Sequence, residues 1–287
     1  MHHGRVVDRM QSTAYTVPML KCIILCALTG VVTWTATAAP VSLFNGDDLE
    51  GWYTFLREHG KNNDPNQVFT VADGLLRISG ADWGCITSEQ AFSGYTLVVE
   101  YKWGTATHPP REDRARDSGV LIHSIGEDGG YNDVWMTGLE VQMIEGGTGD
   151  LLAVGDQSER FALTCPVAEK QGNSHVFDPD GDPVTIHSGR IDWWGRAPDW
   201  ADVKGFRGPR DVEHPVGEWN RLEITAQGGA ITVRLNGVLV NKALDCQPRH
   251  GRIQVQSEGA EVFFRRIELR PCEDDDDDAA DGTPPTG

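Results

Sequence analysis

The sequence predicts an all-β fold, a single two-sheet sandwich of the jelly-roll type with a long loop-rich insertion. Three observations support this fold class. Helical periodicity of apolar residues is nearly absent, stretches that alternate apolar and polar residues recur, and Gly, Asp, Asn and Pro separate these stretches. About ten such strands are more than one open sheet usually holds, so two stacked sheets are expected.

Strands are predicted wherever the alternating pattern is uninterrupted. In chain order they are Val68–Val71, Leu75–Ser79, Tyr95–Trp103, Gly119–Ser124, Leu139–Ile144, Arg221–Ala226, Ile231–Leu235, Val238–Val240, Arg252–Gln256 and Val262–Leu269. The clearest local prediction is the hairpin around Asn236-Gly237, because these two residues can take the positive φ angles of a type I′ turn.

The segment from Gly155 to Val216 does not fit the strand pattern. It is rich in Gly, Pro, Asp and Trp and shows little alternation, and loops this long in a compact domain are usually functional. Two interpretations of Trp193 and Trp194 remain open. They either fix the insertion to the rim of the sandwich or form the wall of a sugar-sized pocket.

The N-terminal residues 1–38 resemble a secretory signal. A mildly basic stretch ends at Lys21, an uncharged and mostly apolar stretch runs from Cys22 to Val32, and Ala36-Thr37-Ala38 offers small residues for cleavage. The apolar stretch is shorter than the roughly 18 residues of a membrane-spanning helix. The sequence therefore predicts export to the periplasm or the extracellular space without a transmembrane anchor, with translation starting at Met1 or Met19.

The sandwich domain is expected over residues 39–272, and residues 273–287 are predicted to form a disordered acidic tail. The tail has no apolar side chain larger than alanine and carries a run of aspartates, so it cannot bury enough surface to order itself. The formal net charge of the chain is −18. This charge argues against nucleic-acid binding, which needs clustered Lys and Arg.

Four cysteines lie in the predicted domain, Cys85, Cys165, Cys246 and Cys272. An exported protein could join them in two disulfides, and three pairings are open. Their spacing does not match that of a structural zinc site.

The segment Gly138–Gly147 is the most informative for function. On a strand, Glu140 and Gln142 share one face while Val141 and Met143 point to the core. A carboxylate and an amide on an otherwise apolar strand form a polar pair held in place by the sheet. The alternative is a solvated sheet face without a functional role.

The residues around this strand favour carbohydrate chemistry. His123 ends the strand that begins at Gly119, and Tyr131 and Trp135 come shortly before Glu140. Histidine and glutamate are common general bases, and aromatic side chains suit sugar rings. A single strand histidine can equally be a buried structural residue, so His123 is one of two candidate bases.

Several of these segments resemble motifs of the 3-keto-disaccharide hydrolase domain family. Leu43–Trp52 is similar to the opening motif LFNG..L.GW, Asp117-Ser-Gly119 stands where NSG is usual, and Leu139–Glu145 resembles YEVQILD. Gly217–Asn220, the Asn236-Gly237 hairpin and the region from Ile253 to Ile267 are similar to the closing motifs. The resemblance spans roughly Val41 to Arg270. Asp117, His123 and the long insertion depart from the family pattern.

The resemblance implies a concanavalin-A-like sandwich that acts on glycosides whose C3 hydroxyl has been oxidised to a ketone. A base removes the C2 proton, the aglycone at C1 leaves, and water adds to the resulting enone. Glu140 or His123 is expected to be the base, with Gln142 helping to hold the sugar. The expected substrate contacts are Asp117, Tyr131, Trp135, Glu145, Trp193, Trp194 and Gln256. A divalent cation could polarise the ketone, but the sequence does not assign its ligands.

Two other functions remain open at the level of the sequence. Glycoside hydrolase family 16 carries Glu-x-Asp-x-x-Glu on one strand, and Glu140, Gln142 and Glu145 fall at those spacings. A retaining pair needs carboxyl groups about 5–5.5 Å apart, whereas the odd spacing turns Glu145 to the opposite face unless the strand bulges. The third function is a non-catalytic sugar-binding module, because sandwich folds host lectins as well as enzymes.

Overall fold

A computed structural model describes residues 39–169 and 174–272, and the predicted leader and acidic tail lie outside the described residues. The described chain consists of β-strands joined by turns and contains no α-helix. In this part of the chain there is accordingly no helix with the length and apolar character that crossing a bilayer requires.

Short strands succeed one another along the whole described chain. In order they are β1 (Val41–Ser42), β2 (Trp52–Leu56), β3 (Gly60–Lys61), β4 (Phe69–Ala72), β5 (Leu75–Ile78), β6 (Gly84–Ser88), β7 (Tyr95–Thr107), β8 (Asp117–Ile125), β9 (Thr137–Ile144), β10 (Leu151–Val154), β11 (Ala162–Val167), β12 (His175–Val176), β13 (Asp182–Ile186), β14 (Gly189–Asp192), β15 (Asn220–Gln227), β16 (Ala230–Leu235), β17 (Val238–Ala243), β18 (Asp245–Gln247), β19 (Arg252–Ser257) and β20 (Ala260–Pro271).

Two large sheets form the sandwich. The front sheet has nine strands in the order β12-β14-β10-β9-β8-β19-β6-β2-β3. The back sheet has eight strands in the order β17-β16-β15-β7-β20-β5-β4, with β1 added beside β20. A third sheet, β13-β11-β18, is built partly from the insertion. The predicted all-β sandwich is confirmed.

One hydrophobic core lies between the front and back sheets. Alternate residues of β9 and β8 enter it from the front, and alternate residues of β7 and β15 enter it from the back. Its members include Val120, Ile122, Leu139, Val141, Met143, Leu97, Val99, Tyr101, Leu222 and Ile224. The opposite residues of β8 and β9 consequently lie on the outer face of the front sheet.

All of the predicted strands are present, with ends that differ by a few residues. The predicted hairpin is confirmed as well: Leu235 pairs with Val238, and Asn236 and Gly237 have φ angles of 51° and 83°. The unpredicted strands are mostly short or lie at sheet edges, where the alternation is too brief to recognise.

The insertion is more regular than its sequence suggested, which corrects the loop-rich description of Gly155 to Val216. It contains β11, β12, β13 and β14, and β14 pairs with β10 to extend the front sheet. The longest described stretch of this region without a strand runs from Trp193 to Trp219. Short strands rich in Asp, Pro and Gly are poorly marked in sequence because their pairing partners stabilise them.

The last two strands complete both sheets. β19 lies between β6 and β8 in the front sheet, and β20 lies between β5 and β7 in the back sheet. Cys85, Cys165 and Cys246 are buried as free thiols, so none of these three takes part in a disulfide.

Candidate active site

Strand β9 places Glu140 and Gln142 on the outer face of the front sheet, as the alternation predicted. Leu139, Val141 and Met143 enter the core, so the two polar side chains point away from it. Leu152 of β10 and Leu121 of β8 pair with Glu140 on either side. Glu140 is nevertheless only 5% exposed, because neighbouring segments cover this face.

Gly119 leaves room for the side chains above it. A Cβ atom on residue 119 would lie 2.5 Å from Glu140 Oε1 and 2.5 Å from Gln256 Oε1. Because no such contact is tolerated, only glycine lets these two side chains meet over β8. This close approach gives the Asp117-Ser-Gly119 segment a physical reason for its glycine.

Asp117 anchors Gln142. The amide nitrogen of Gln142 donates to Asp117 Oδ1 at 2.9 Å, and Arg111 Nη2 lies 2.8 Å from Asp117 Oδ2. All three side chains are buried. The ion pair holds the Asp117 carboxylate in place, and that carboxylate in turn fixes the orientation of the Gln142 amide.

The carboxyl group of Glu140 is held in an environment that disfavours its charge. Burial raises the pKa of Glu140 to about 8, and the negative charge of Asp117 acts in the same direction, whereas Arg190 and the Gln256 amide oppose it. Glu258 faces the same carboxyl groups. Burial, with the charges of Asp117 and Glu140, raises its pKa well above the ordinary value. Pairs of acids shifted in this way are typical of acid–base sites.

The Gln256 amide lies beside the Glu140 carboxyl group and favours its charged form, but it makes no hydrogen bond of ordinary geometry. The residue is 1% exposed, and neither Nε2 nor Oε1 has a hydrogen-bond partner within the described residues. Buried polar groups without partners are rare in folded proteins. The amide therefore offers a donor and an acceptor to a ligand bound over Glu140.

Arg190 links this group to the insertion. Arg190 of β14 lies opposite Leu152 of β10, and Leu152 lies opposite Glu140 of β9. Arg190 and Glu140 therefore share the outer face, two strand spacings or about 10 Å apart. The Nη1 atom of Arg190 lies 3.2 Å from Asp150 Oδ2. Asp150 also receives the backbone N–H of Trp193 at 2.8 Å and an ion pair from Arg196.

A cavity of about 1000 Å³ opens beside Arg190. Its wall combines charged and aromatic side chains, among them Arg190, Asp192, Trp194, Arg196 and Trp200. Arg190 is the lining residue that shares the outer face with Glu140. The cavity therefore lies on the same face of the front sheet as the Glu140 group.

Sequence comparison assigns the family. Residues 39–270 match the profile of the 3-keto-alpha-glucoside-1,2-lyase-like domain. The chain belongs to this lyase-like family. Membership places it among carbohydrate-active domains and confirms the resemblance on which the motif analysis rested. No curated protein matches the chain in sequence.

Several solved structures resemble the lyase-like domain. A candidate glycosyl hydrolase from Parabacteroides distasonis ATCC 8503 is 19% identical, with 82% of this chain and 94% of that chain covered and a TM-score of 0.46. The carbohydrate-binding module CBM66 from Bacillus subtilis is 14% identical, with 76% and 94% covered and a TM-score of 0.41. The β-glucanase of Bacillus licheniformis is 10% identical, with 83% and 100% covered and a TM-score of 0.43.

The structure brings together Glu140, Gln142, Asp117 and Gln256 of the residues proposed from the sequence of the lyase-like domain. Tyr131 and Trp135 lie next to them in a small apolar cluster with Leu121, which covers the same face. Trp135 is itself buried and stacks at a tilt on Trp83, with ring centroids 5.9 Å apart. These aromatic residues therefore cover part of the outer face beside Glu140.

His123 lies outside this group, which corrects its proposed role as a base. Its ring packs edge-on against Tyr95 of the back sheet, with centroids 5.8 Å apart, and Nδ1 contacts the carbonyl oxygen of Pro248 at 2.9 Å. The register shift of β8 after Ile122 turns the histidine into the sandwich interior. Burial lowers the pKa of His123.

Glu145 does not join Glu140, which corrects its proposed roles in substrate binding and in a retaining pair. Its carboxylate receives Arg116 Nη1 at 2.6 Å and the backbone N–H groups of Arg116 and Gly205 at 2.9 and 2.7 Å. The residue follows the end of β9 and is turned away from the Glu140 face. Its role in the lyase-like domain is to hold the insertion.

The two adjacent tryptophans have different positions. Trp193 is 1% exposed and belongs to the core, which corrects its proposed place in a pocket wall. Trp194 is partly buried and lines the cavity. Trp193 therefore fixes the insertion to the sandwich, whereas Trp194 forms part of a cavity wall.

Sequence reasoning missed Arg111, Arg190 and Glu258. Glu258 continues the two-residue alternation of Gln254 and Gln256, so the pattern could have found it. Arg111 comes from the loop before β8 and Arg190 from the insertion, and neither carries a local signal. No cluster of three or more His, Cys, Asp or Glu side chains is arranged to bind a metal in residues 39–169 and 174–272.

Proposed function

We propose that this chain is an exported enzyme that cleaves 3-keto glycosides, with Glu140 as the base. The observation that carries the proposal is the Glu140 carboxyl group, buried on the outer face of the front sheet with a pKa of about 8. A base works best when its pKa lies near the working pH. An ordinary surface glutamate would be too weak a base to remove a carbon-bound proton.

The reaction follows from the acidity that a C3 ketone gives to the C2 proton. Glu140 takes that proton, and the C2–H electron pair forms the enolate. As the ketone re-forms, the C1–O bond breaks, the leaving oxygen takes a proton, and a C1=C2 enone remains. Water then adds across this double bond, with its oxygen on C1 and its proton on C2, so the net result is hydrolysis.

The neighbouring side chains have roles that fit these steps. The amides of Gln142 and Gln256 bind the sugar hydroxyls, and Arg190 supplies positive charge for the developing enolate oxygen. Glu258 is the proton donor to the leaving oxygen, because burial and the charges of Asp117 and Glu140 raise its pKa and so favour the protonated form. Asp117 and Arg111 act through Gln142 as positioning residues.

The substrate test compares a 3-keto-glucoside with the unoxidised glucoside. Aglycone release is expected only from the keto sugar, because only the ketone acidifies C2. The variant Glu140→Gln should lose at least about a hundredfold in kcat/KM, the low end of what a general base contributes. The exposed control Glu218→Gln should keep the wild-type rate.

Two results would count against the proposal. Equal release from both substrates would indicate a direct glycosidase, and wild-type turnover by Glu140→Gln would remove Glu140 as the base. A sugar-binding module would bind either sugar in calorimetry without releasing an aglycone.

Export is the second part of the proposal and rests on the signal-like residues 1–38. Mass spectrometry of protein recovered from the periplasm or medium should give a mature chain that starts near Ala39. Recovery of a cytoplasmic chain that keeps these residues would contradict export.

A further inference from the structure

We infer that the cavity beside Arg190 is the subsite for the leaving group, and that it takes a hydroxylated ring. The inference rests on the proposed function, because it identifies the leaving group of the same reaction. It concerns the residues Asp192, Trp194 and Trp200, which the sequence did not assign to the aglycone.

The position of the cavity suits the leaving group. Arg190 and Asp192 alternate with the core residue Ile191 on β14, so both lie on the same outer face as Glu140. Arg190 is about 10 Å from Glu140 across two strand spacings, which is the scale of one sugar ring and its substituent. The apolar cluster around Trp135 covers part of this face. A C1 substituent that extends from Glu140 along the face towards β14 would reach the cavity at Arg190.

The aromatic walls suit the faces of a ring. Trp194 donates its indole N–H to the carbonyl oxygen of Leu239 at 2.7 Å, and Trp200 donates to that of Glu145 at 2.9 Å. With their polar atoms paired, both indoles offer the cavity apolar ring surface. Arg196 lies 4.2 Å from the Trp200 ring centroid and so covers part of that ring.

Asp192 supplies the hydroxyl-binding group. The residue is 6% exposed, its Oδ1 atom has no hydrogen-bond partner among the described residues, and it lines the cavity. The nearest cation is Arg196 Nε at 3.9 Å, beyond hydrogen-bond distance. A buried carboxylate oxygen in this state requires a donor, and a hydroxyl on the bound ring provides one.

The charges of the wall argue against an anionic leaving group. The lining has as many carboxylates as arginines, Glu169, Asp178 and Asp192 against Arg190, Arg196 and Arg210, so the wall has no excess of positive charge to bind an anion. The volume of about 1000 Å³ also exceeds what a small alcohol fills, since pockets of roughly 300–1,000 Å³ hold drug-sized ligands. The cavity therefore fits a neutral ring with at least one hydroxyl group.

The catalytic test uses three 3-keto-glucosides that differ in the leaving group: methyl, 4-hydroxyphenyl and glucosyl. The wild type should prefer one or both ring substrates over the methyl glycoside. Trp194→Ala and Asp192→Asn should lower kcat/KM for the preferred ring substrate roughly three- to tenfold, the range for one aromatic contact or one hydrogen bond. The methyl glycoside should be unaffected. The control Trp219→Ala, a tryptophan packed by Lys102 and Arg265 away from the cavity, should leave all three rates unchanged.

A binding test separates this inference from the proposed function. Hydroquinone and glucose are titrated into the unmodified protein and into Asp192→Asn, with calorimetry as the readout. Binding of either ligand that weakens in the variant supports the subsite even if no keto glycoside is turned over, and the bound ligand tells whether the ring is aryl or sugar. Turnover without ring preference, together with no binding of either ligand, would overturn the subsite and leave the proposed function intact.

Discussion

Glu140 is buried where few groups can stabilise its negative charge. The Gln256 amide and the more distant Arg190 favour the ionised form, but burial and the charge of Asp117 outweigh them. Burial makes the ionised state of Glu140 less stable, which makes the carboxylate a stronger base. The same burial must also lower the stability of the folded protein when Glu140 is ionised. Both consequences can be measured as functions of pH.

The rate should rise with pH through a value near 8, because Glu140 must be ionised to act as a base. The donor role of Glu258, whose pKa is also raised, should add a fall of the rate on the alkaline side as this group loses its proton. The measurement is kcat/KM for a 3-keto-glucoside between pH 5 and pH 10. Glu258→Gln should abolish the alkaline fall, and a flat profile from pH 5 to pH 9 would contradict the role of Glu140.

Stability should show the opposite trend for the same carboxyl group. A folded-state pKa of about 8 lies above the ordinary value of 4.5, so the folded chain binds this proton more tightly than the unfolded chain. The resulting contribution to stability is complete below pH 4.5 and is lost as pH rises through about 8. Glu140→Gln should therefore be more stable than the wild type at pH 9, by on the order of a few kcal/mol. Equal denaturant midpoints of the two proteins at pH 9 would contradict the raised pKa.

Strand β8 makes room for the site because residue 119 is a glycine and has no side chain. The Gly119→Ala change would place a methyl group 2.5 Å from both the Glu140 and the Gln256 side chains, so one or both must move. We expect kcat/KM to fall at least about tenfold and the free energy of unfolding to fall by about 1–3 kcal/mol.

A control for this substitution lies one residue away on the same strand. Ser118 points to the opposite face and donates to the carbonyl oxygen of Gln256 at 3.0 Å. Ser118→Ala should cost about 1 kcal/mol of stability and leave kcat/KM nearly unchanged. Equal activity of Gly119→Ala and Ser118→Ala would show that the space above Gly119 is not needed.

The elements of the site differ in how far the sequence could predict them. The alternation of Glu140 and Gln142 in β9 was readable because a strand with one buried face repeats every two residues. His123 was misplaced because the bulge in β8 breaks that period, and the residues before it give no sign of the break. Arg190 could not be predicted, since β14 becomes a strand only by pairing with β10.

At the scale of the whole molecule, the buried ion pair between Glu145 and Arg116 helps to attach the insertion to the sandwich. Glu145 binds Arg116 and the backbone of Gly205, and its own carbonyl oxygen accepts from Trp200. Arg116 in turn donates to the carbonyl oxygen of Gly104 in β7. The wall of the cavity is thereby tied to both sheets.

Glu145→Gln should therefore lower the free energy of unfolding and leave the catalysed reaction nearly unaffected. Leaving Arg116 buried without its partner is expected to cost about 3 kcal/mol, while the folded protein keeps most of its kcat/KM. The comparison change Glu223→Gln, which loses a partly exposed pair with Arg221 at 2.7 Å, should cost less than about 1 kcal/mol. A large loss of kcat at unchanged stability would return Glu145 to the reaction.

The positions of β19 and β20 in the two sheets limit how early either sheet can be completed. β19 is a central strand of the front sheet and β20 a central strand of the back sheet, and they are the last two strands of the described residues. Neither sheet can be completed before these strands are synthesised, and pairings so distant in sequence form slowly. Late completion of both sheets suits the export proposed above, because a chain that is threaded through a translocation channel must be unfolded.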